Sequence, residues 1–136
     1  MQSHQTADQI RFGRVVWFGV LANWTFAFWV LLGDANALMR ILHLGELQST
    51  LWLYHYSILL AVLSLFYIPA ARDCRRYRAN AWLLVVSRLI PAFTVFVGVA
   101  ISFMPNGFLW LGLADIAIGF TQLWLLLRIV RAERTV

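Results

Sequence analysis

The sequence predicts an all-α membrane protein, a four-transmembrane-helix bundle that forms a single integral membrane domain over residues 1–136. The composition is the first indication: 62% of the residues are hydrophobic and the mean hydropathy is +0.75, whereas a soluble domain is about half apolar. The second is four apolar stretches, each long enough to cross a hydrocarbon core of about 30 Å, which takes about 20 helical residues. The third is that all eleven basic residues are arginines, clustered at the ends of those stretches.

The four spans are expected to be helices, because a segment in lipid must satisfy its own backbone hydrogen bonds and these lack the alternation of a barrel strand. Their approximate ranges are 14–33, 51–71, 81–103 and 108–130.

Two connections carry structural information of their own. Arg40, His43 and Glu46 recur every three residues among leucines in the 34–50 connection. This spacing predicts a short amphipathic interfacial helix between the first two spans. The 104–107 connection, Met-Pro-Asn-Gly, predicts a tight turn, so the last two spans should form an antiparallel hairpin.

The arginines predict the orientation. Nine of them lie near the N-terminus, in the 72–80 connection or near the C-terminus, and only Arg40 lies in the other two connections. By the positive-inside rule both termini are expected to be cytoplasmic, in a bacterial inner membrane. The same rule accounts for the pI of about 10.4, so nucleic-acid binding is not expected.

Small and weakly polar residues recur every three or four positions in each span, which predicts one packing face per helix. These residues are Gly19, Asn23 and Ala27; Ser57, Ala61 and Ser64; Ser87, Pro91, Thr94, Gly98 and Ser102; and Gly112, Asp115, Gly119 and Gln122.

Asp115 is the most informative single residue for function. It lies about seven residues into the fourth span, roughly 10 Å below the outer boundary at ~1.5 Å per residue. An ionisable residue at such a depth is a functional hypothesis by default. Two interpretations stay open: a proton acceptor or anchor for a bound head group, and a structural hydrogen bond to a polar group such as Asn23.

Arg88 is expected to extend to the cytoplasmic interface rather than to pair with Asp115. Helical side chains lean toward the N-terminus of their helix, so these two lean in opposite directions, and their Cα atoms are expected ~10 Å apart along the membrane normal. Pro91 cannot donate to the carbonyl of Ser87, which predicts a kink. The freed carbonyl, Ser87 and Arg88 are candidates for binding a lipid phosphate or a quinone head group.

His55 completes the tentative ligand-binding set of Asp115, His55, Arg88 and Ser87. It is expected either to contact head groups at the interface, which we favour, or to form an acid–imidazole pair with Asp115. Three scattered histidines and the single Cys74 do not provide a metal site. No cofactor is predicted, although a quinone or lipid is possible.

The connector from Tyr67 to Trp82, Tyr-Ile-Pro-Ala-Ala-Arg-Asp-Cys-Arg-Arg-Tyr-Arg-Ala-Asn-Ala-Trp, is similar to those of small bacterial inner-membrane proteins. The four-span layout resembles that of DoxX-like proteins, and this resemblance implies an accessory role beside a quinone-linked oxidoreductase. Arginine suits bidentate binding of phosphate or of acidic partner groups, although a solvated positive-inside loop is the role that we favour. The candidates for such contacts are Arg72, Arg75, Arg76 and Arg78.

The shortage of reactive groups favours a non-catalytic accessory or assembly subunit of a larger inner-membrane complex, redox or photosynthetic, whose partners are membrane lipids and other membrane subunits. The alternative is a quinone- or lipid-binding membrane protein that uses the intramembrane acid, which predicts a cavity reaching Asp115. A small transporter is a further alternative.

Overall fold

A computed structural model describes residues 6–44 and 51–134, apart from the side chain of Trp52. The regular structure of this part is helical. The helices are α1 (Ala7–Leu32), α2 (Ala35–Ile41), α3 (Leu51–Leu65), α4 (Ile68–Arg72), α5 (Arg78–Ala100) and α6 (Phe108–Arg134). Four helical segments are long and apolar enough to cross a membrane: α1, Leu53–Arg72, α5 and α6. The predicted four-helix membrane bundle is confirmed, and the protein is a multi-pass membrane protein.

The ends of α1 and α6 extend beyond the predicted spans. α1 begins at Ala7 because Thr6 and Gln9 form a capping box: Thr6 Oγ1 accepts from the Gln9 N–H, and Gln9 Oε1 accepts from the Thr6 N–H at 2.7 Å. α6 continues to Arg134, past the last apolar residues. Hydropathy marks the thickness of the hydrocarbon, whereas capping residues mark where a helix begins.

The second span is divided by a short interruption. α3 ends at Leu65, and α4 begins at Ile68 with Pro69 in its first turn. Backbone N–H groups in the first turn of a helix have no acceptor within it, so a proline there costs no hydrogen bond. By contrast, Pro91 lies inside α5, which continues across it as a helix. The two prolines therefore differ in effect because of their position along a helix.

The predicted helix between the first two spans is present as α2. Asp34 caps it, since its Oδ1 accepts from the backbone N–H groups of Asn36 and Ala37 at 2.9 and 3.1 Å. Leu38 and Met39 are buried while Arg40 is exposed, as an amphipathic helix requires. His43, which the spacing placed on this helix, lies just past its end at Ile41. Residues 45–50, including Glu46, lie outside the described residues.

The helices are arranged in a row of α3, α1, α6 and α5, so that α3 and α5 are the outer members. α1 packs against both α3 and α6, and α5 packs against α6. The short α4 contacts α1 and α5 and so closes the bundle at its own end. Within the described residues, α1 is the only long helix that packs extensively against α3. An opening is therefore left between α3 and α5.

Ion pairs connect the chain ends to the connector on the α4 side of the bundle. Asp8 Oδ2 lies 3.1 Å from Arg128 Nε, and Glu133 pairs with both Arg75 and Arg78. Two of the four arginines proposed to contact phosphate or partners, Arg75 and Arg78, thus have an acidic residue of the same chain beside them, and all four are exposed. The phosphate or partner contact of all four stays a prediction.

Cys74 lies between these arginines but is buried. Burial raises the pKa of its thiol, and the neighbouring Asp73 carboxylate raises it further. A raised pKa lowers the thiolate fraction at neutral pH, and the thiolate is the reactive form. A buried thiol with a small thiolate fraction behaves as a small apolar side chain in packing.

Candidate ligand-binding cavity

A cavity of about 670 Å³ lies between α3 and α5, with α1 and α6 forming its base and α2 at one end. Its walls are largely apolar, with three leucines of α3 on one side: Leu59, Leu60 and Leu63. Polar side chains come from four helices and reach into it at different depths. They are Asn23, Thr25, Tyr56, Tyr67, Ser87, Arg88 and Asp115.

Arg88 and Asp115 form a direct ion pair at the wall of this cavity. Arg88 Nη1 donates to Asp115 Oδ1 at 2.6 Å. The arginine side chain is only 6% exposed, whereas the aspartate side chain is 37% exposed. The prediction that Arg88 extends to the cytoplasmic interface without pairing to Asp115 is therefore wrong, and the guanidinium lies inside the bundle.

Gly19 of α1 makes room for this arginine. A Cβ atom on Gly19 would overlap Arg88 Nη2 and lie 3.1 Å from Cζ. The lean of the Cα–Cβ bond fixes only the first step of a side chain. A long flexible arginine can turn back into the space that this glycine leaves open, which explains the wrong prediction.

A second polar contact lies at the α4 end of the cavity. The Tyr67 hydroxyl and Ser87 Oγ are 2.6 Å apart, and Ser87 Oγ donates its only proton to the Leu84 carbonyl at 2.9 Å. Tyr67 must therefore be the donor in their shared hydrogen bond. This bond links the α3–α4 segment to α5 beside the Arg88–Asp115 pair.

A third polar contact joins α1 to α3. Asn23 Nδ2 donates to Ser64 Oγ at 2.9 Å, and Ser64 in turn donates to the Leu60 carbonyl at 2.8 Å. This is the kind of contact across a seam of small residues that stabilises helix pairs in a membrane. Asn23 is therefore bonded to Ser64 and not to Asp115, whose partner is Arg88.

Three of the four residues proposed for ligand binding line the cavity: Asp115, Arg88 and Ser87. His55 is not among the lining residues; it is exposed, and its Nδ1 lies 2.9 Å from the Leu51 carbonyl oxygen of its own helix. The structure does not bring it together with Asp115. Its contact with lipid head groups stays a prediction.

Two tyrosines that line the cavity were missed as site residues. Tyr56, Leu60, Leu63 and Tyr67 recur at helical spacing and share one face of the second span. That pattern is visible in the sequence, but the small residues on which the packing prediction rests lie on the neighbouring Ser57 face. The signal was an aromatic hydroxyl at each end of an aliphatic stripe.

Within residues 6–44 and 51–134, no three His, Cys, Asp or Glu side chains come together as metal ligands would. A scan of protein-family models and searches of curated proteins and of solved structures each found no significant match to the chain.

The contact between Gly19 and Arg88 leads to a prediction about stability. Gly19→Ala should lower the free energy of unfolding by about 1–3 kcal/mol, because the added methyl group must displace the guanidinium. In an Arg88→Met background the same change should instead stabilise the protein by about 0.5–1 kcal/mol, the usual gain of alanine over glycine in a helix. Unfolding in mixed micelles measures both, and an equal loss in the two backgrounds would contradict the contact.

Proposed function

We propose that the protein binds an amphiphilic membrane molecule, a quinone or a lipid, with its head group beside Asp115 and its tail along the apolar walls of the cavity. The observation that carries this proposal is that the cavity reaches Asp115, which is what a binding role for an intramembrane acid requires. Its volume of about 670 Å³ falls within the roughly 300–1,000 Å³ of small-molecule sites. Apolar walls with a few polar groups are typical of such sites.

The opening between α3 and α5 supports entry from the membrane. Leu59 on α3 lines the cavity and is nevertheless 64% exposed, and Pro91 on α5 is likewise both a lining residue and exposed. These two residues form the lateral rim. An amphiphile diffusing in the bilayer could therefore enter sideways without leaving the hydrocarbon.

The site is suited to binding rather than to catalysis. Arg88 is held by Asp115 and Tyr67 by Ser87, so the polar groups of the wall already fix one another. Such a pre-organised wall positions a head group with little loss of side-chain entropy.

A matched pair of variants on α6 tests this proposal. Ala114 lines the cavity, whereas Ala117, three residues further on, does not, and both are exposed. Ala114→Phe should fill part of the cavity and reduce the lipid or quinone that co-purifies with the protein by at least about tenfold, whereas Ala117→Phe should leave it unchanged. Solvent extraction of the purified protein followed by mass spectrometry measures this. Equal retention in both variants, or no retained amphiphile in the wild type, would overturn the proposal.

An accessory or assembly role in a larger inner-membrane complex is a second proposal, and the ligand site is compatible with it. Its support is the aromatic outer surface, on which Phe18, Phe93 and Trp110 are strongly exposed, together with the DoxX-like layout, which also remains a proposal. Native mass spectrometry after mild solubilisation should then show a larger assembly. An isolated chain under those conditions would argue against it. The small-transporter alternative stays an untested prediction.

The proposed location is the bacterial inner membrane, with both termini in the cytoplasm, on the strength of the arginine distribution. In a Cys74→Ser background, Asn106→Cys should react with a membrane-impermeant maleimide added to intact spheroplasts, because Asn106 is exposed in the turn before α6. Arg131→Cys, exposed near the other end of α6, should react only after the membrane is opened. The reverse pattern would invert the orientation.

A further inference from the structure

The charged groups that line the cavity balance each other. Among the lining residues of the described chain, Arg88 is the only basic side chain and Asp115 the only carboxylate, and they are paired at 2.6 Å. With exposures of 6% and 37%, the carboxylate is the more accessible of the two. A phosphate head group would meet the carboxylate first, and like charges in a medium of low dielectric constant repel strongly.

Three of the four hydroxyl groups that line the cavity, those of Thr25, Tyr67 and Ser87, donate their protons to acceptors within the protein. Thr25 donates to the Leu21 carbonyl at 2.9 Å, and Ser87 donates to the Leu84 carbonyl. Tyr67 donates to Ser87, as argued above. What these three hydroxyl groups still offer a ligand is oxygen lone pairs.

We propose that the cavity selects an uncharged head group that donates hydrogen bonds, that is, a hydroxyl-bearing amphiphile such as a quinol or a diacylglycerol. This inference rests on the proposed function and names its ligand class. The ligand hydroxyl donates to the carboxylate of Asp115, and hydrogen bonds to an ionised acceptor are the strong ones. A quinone, which only accepts, and a phosphatidate, which is anionic, match the wall less well.

Two pairs of probes test whether a hydroxyl group is preferred and distinguish a quinol from a diacylglycerol as the ligand. Decylubiquinol and decylubiquinone differ in donor capacity, and dioctanoylglycerol and dioctanoyl phosphatidate differ in charge. Calorimetric titration of the purified protein in neutral detergent, under anaerobic conditions for the quinol, should show at least about tenfold tighter binding of one or both hydroxyl forms than of their counterparts. The pair that binds more tightly shows whether a quinol or a diacylglycerol is the ligand.

Substitutions of Asp115 complete the test. Asp115→Glu keeps the carboxylate and should keep the preference, whereas Asp115→Asn can donate as well as accept and should reduce the preference to about threefold or less. A quinone or phosphatidate that binds the wild type as tightly as its hydroxyl counterpart would overturn this inference and leave the proposed function standing. Failure of all four probes to bind would overturn both.

Discussion

Asp115→Leu is expected to lower the free energy of unfolding by about 2–3 kcal/mol, because it leaves the Arg88 guanidinium buried without a counter-charge. Breaking a fully buried pair costs roughly 3–5 kcal/mol, and the smaller value here reflects the partial exposure of the carboxylate. Equilibrium unfolding in mixed micelles, with helicity as the readout, measures the effect.

Two further variants identify the cause of that loss. Arg88→Met should cost less than Asp115→Leu, because the charge that it strands is the more exposed of the two. The double variant Arg88→Met/Asp115→Leu should recover most of the stability, since a neutral apolar pair has no desolvation cost. If the two single losses of stability simply add in the double variant, an unpaired buried charge is not the cause of either loss.

Phe12→Ala is expected to lower the free energy of unfolding by about 3–5 kcal/mol. Phe12 is 0% exposed and belongs to the core at the α4 end, where it packs among residues such as Val16, Tyr67 and Leu126. The substitution leaves a cavity in a region where α1 meets α4 and α6, and the surrounding helices can close it only in part.

Phe18→Ala is the matched control on the same helix. Phe18 is 63% exposed on the outer surface, where lipid tails replace the contacts that its ring loses. Its loss should be about 1 kcal/mol or less. Comparable losses at the two positions would contradict the assignment of Phe18 to a surface that only lipid or detergent covers.

The fold class could be predicted because it depends on quantities that add along the chain. Apolar length predicts the number of spans, and the 34–50 spacing and the 104–107 turn predict the connections. The start of α1 lies seven residues before the predicted start of the first span, because the capping box at Thr6 and Gln9 begins the helix before the apolar stretch does.

The packing faces were predicted unequally. On α6 the expected residues Gly112, Gly119 and Gln122 are buried. In the third span the expected Gly98 is buried, but Thr94 is exposed, and Ser102 is exposed beyond the end of α5. Larger residues share the buried face of α5 with small ones, namely Leu84, Val85 and Arg88 beside Ala81, Ala92 and Gly98. Small residues mark a seam only where backbones approach closely, and a seam filled by large side chains leaves no such mark.

The site was predicted in its members but not in its geometry. Asp115, Arg88 and Ser87 could be selected by residue type and depth, whereas their pairing depends on space left by Gly19, a residue on another helix. Such space depends on which helices are neighbours, and a single sequence does not state that. The same applies to Tyr56, whose neighbour His55 was the more conspicuous residue type.

The α1–α3 and α5–α6 hairpins meet along the contact between α1 and α6 and at the α4 end, where Tyr67 bonds to Ser87 and the Asn80 side chain donates to the Phe66 carbonyl at 2.9 Å. Within the described residues α3 and α5 have no comparably extensive contact, and the exposed Leu59 and Pro91 border the entrance on that side. The entrance and the core of this fold are therefore separable: a change of side chain at Leu59 alters the entrance while the contacts that join the two hairpins stay in place.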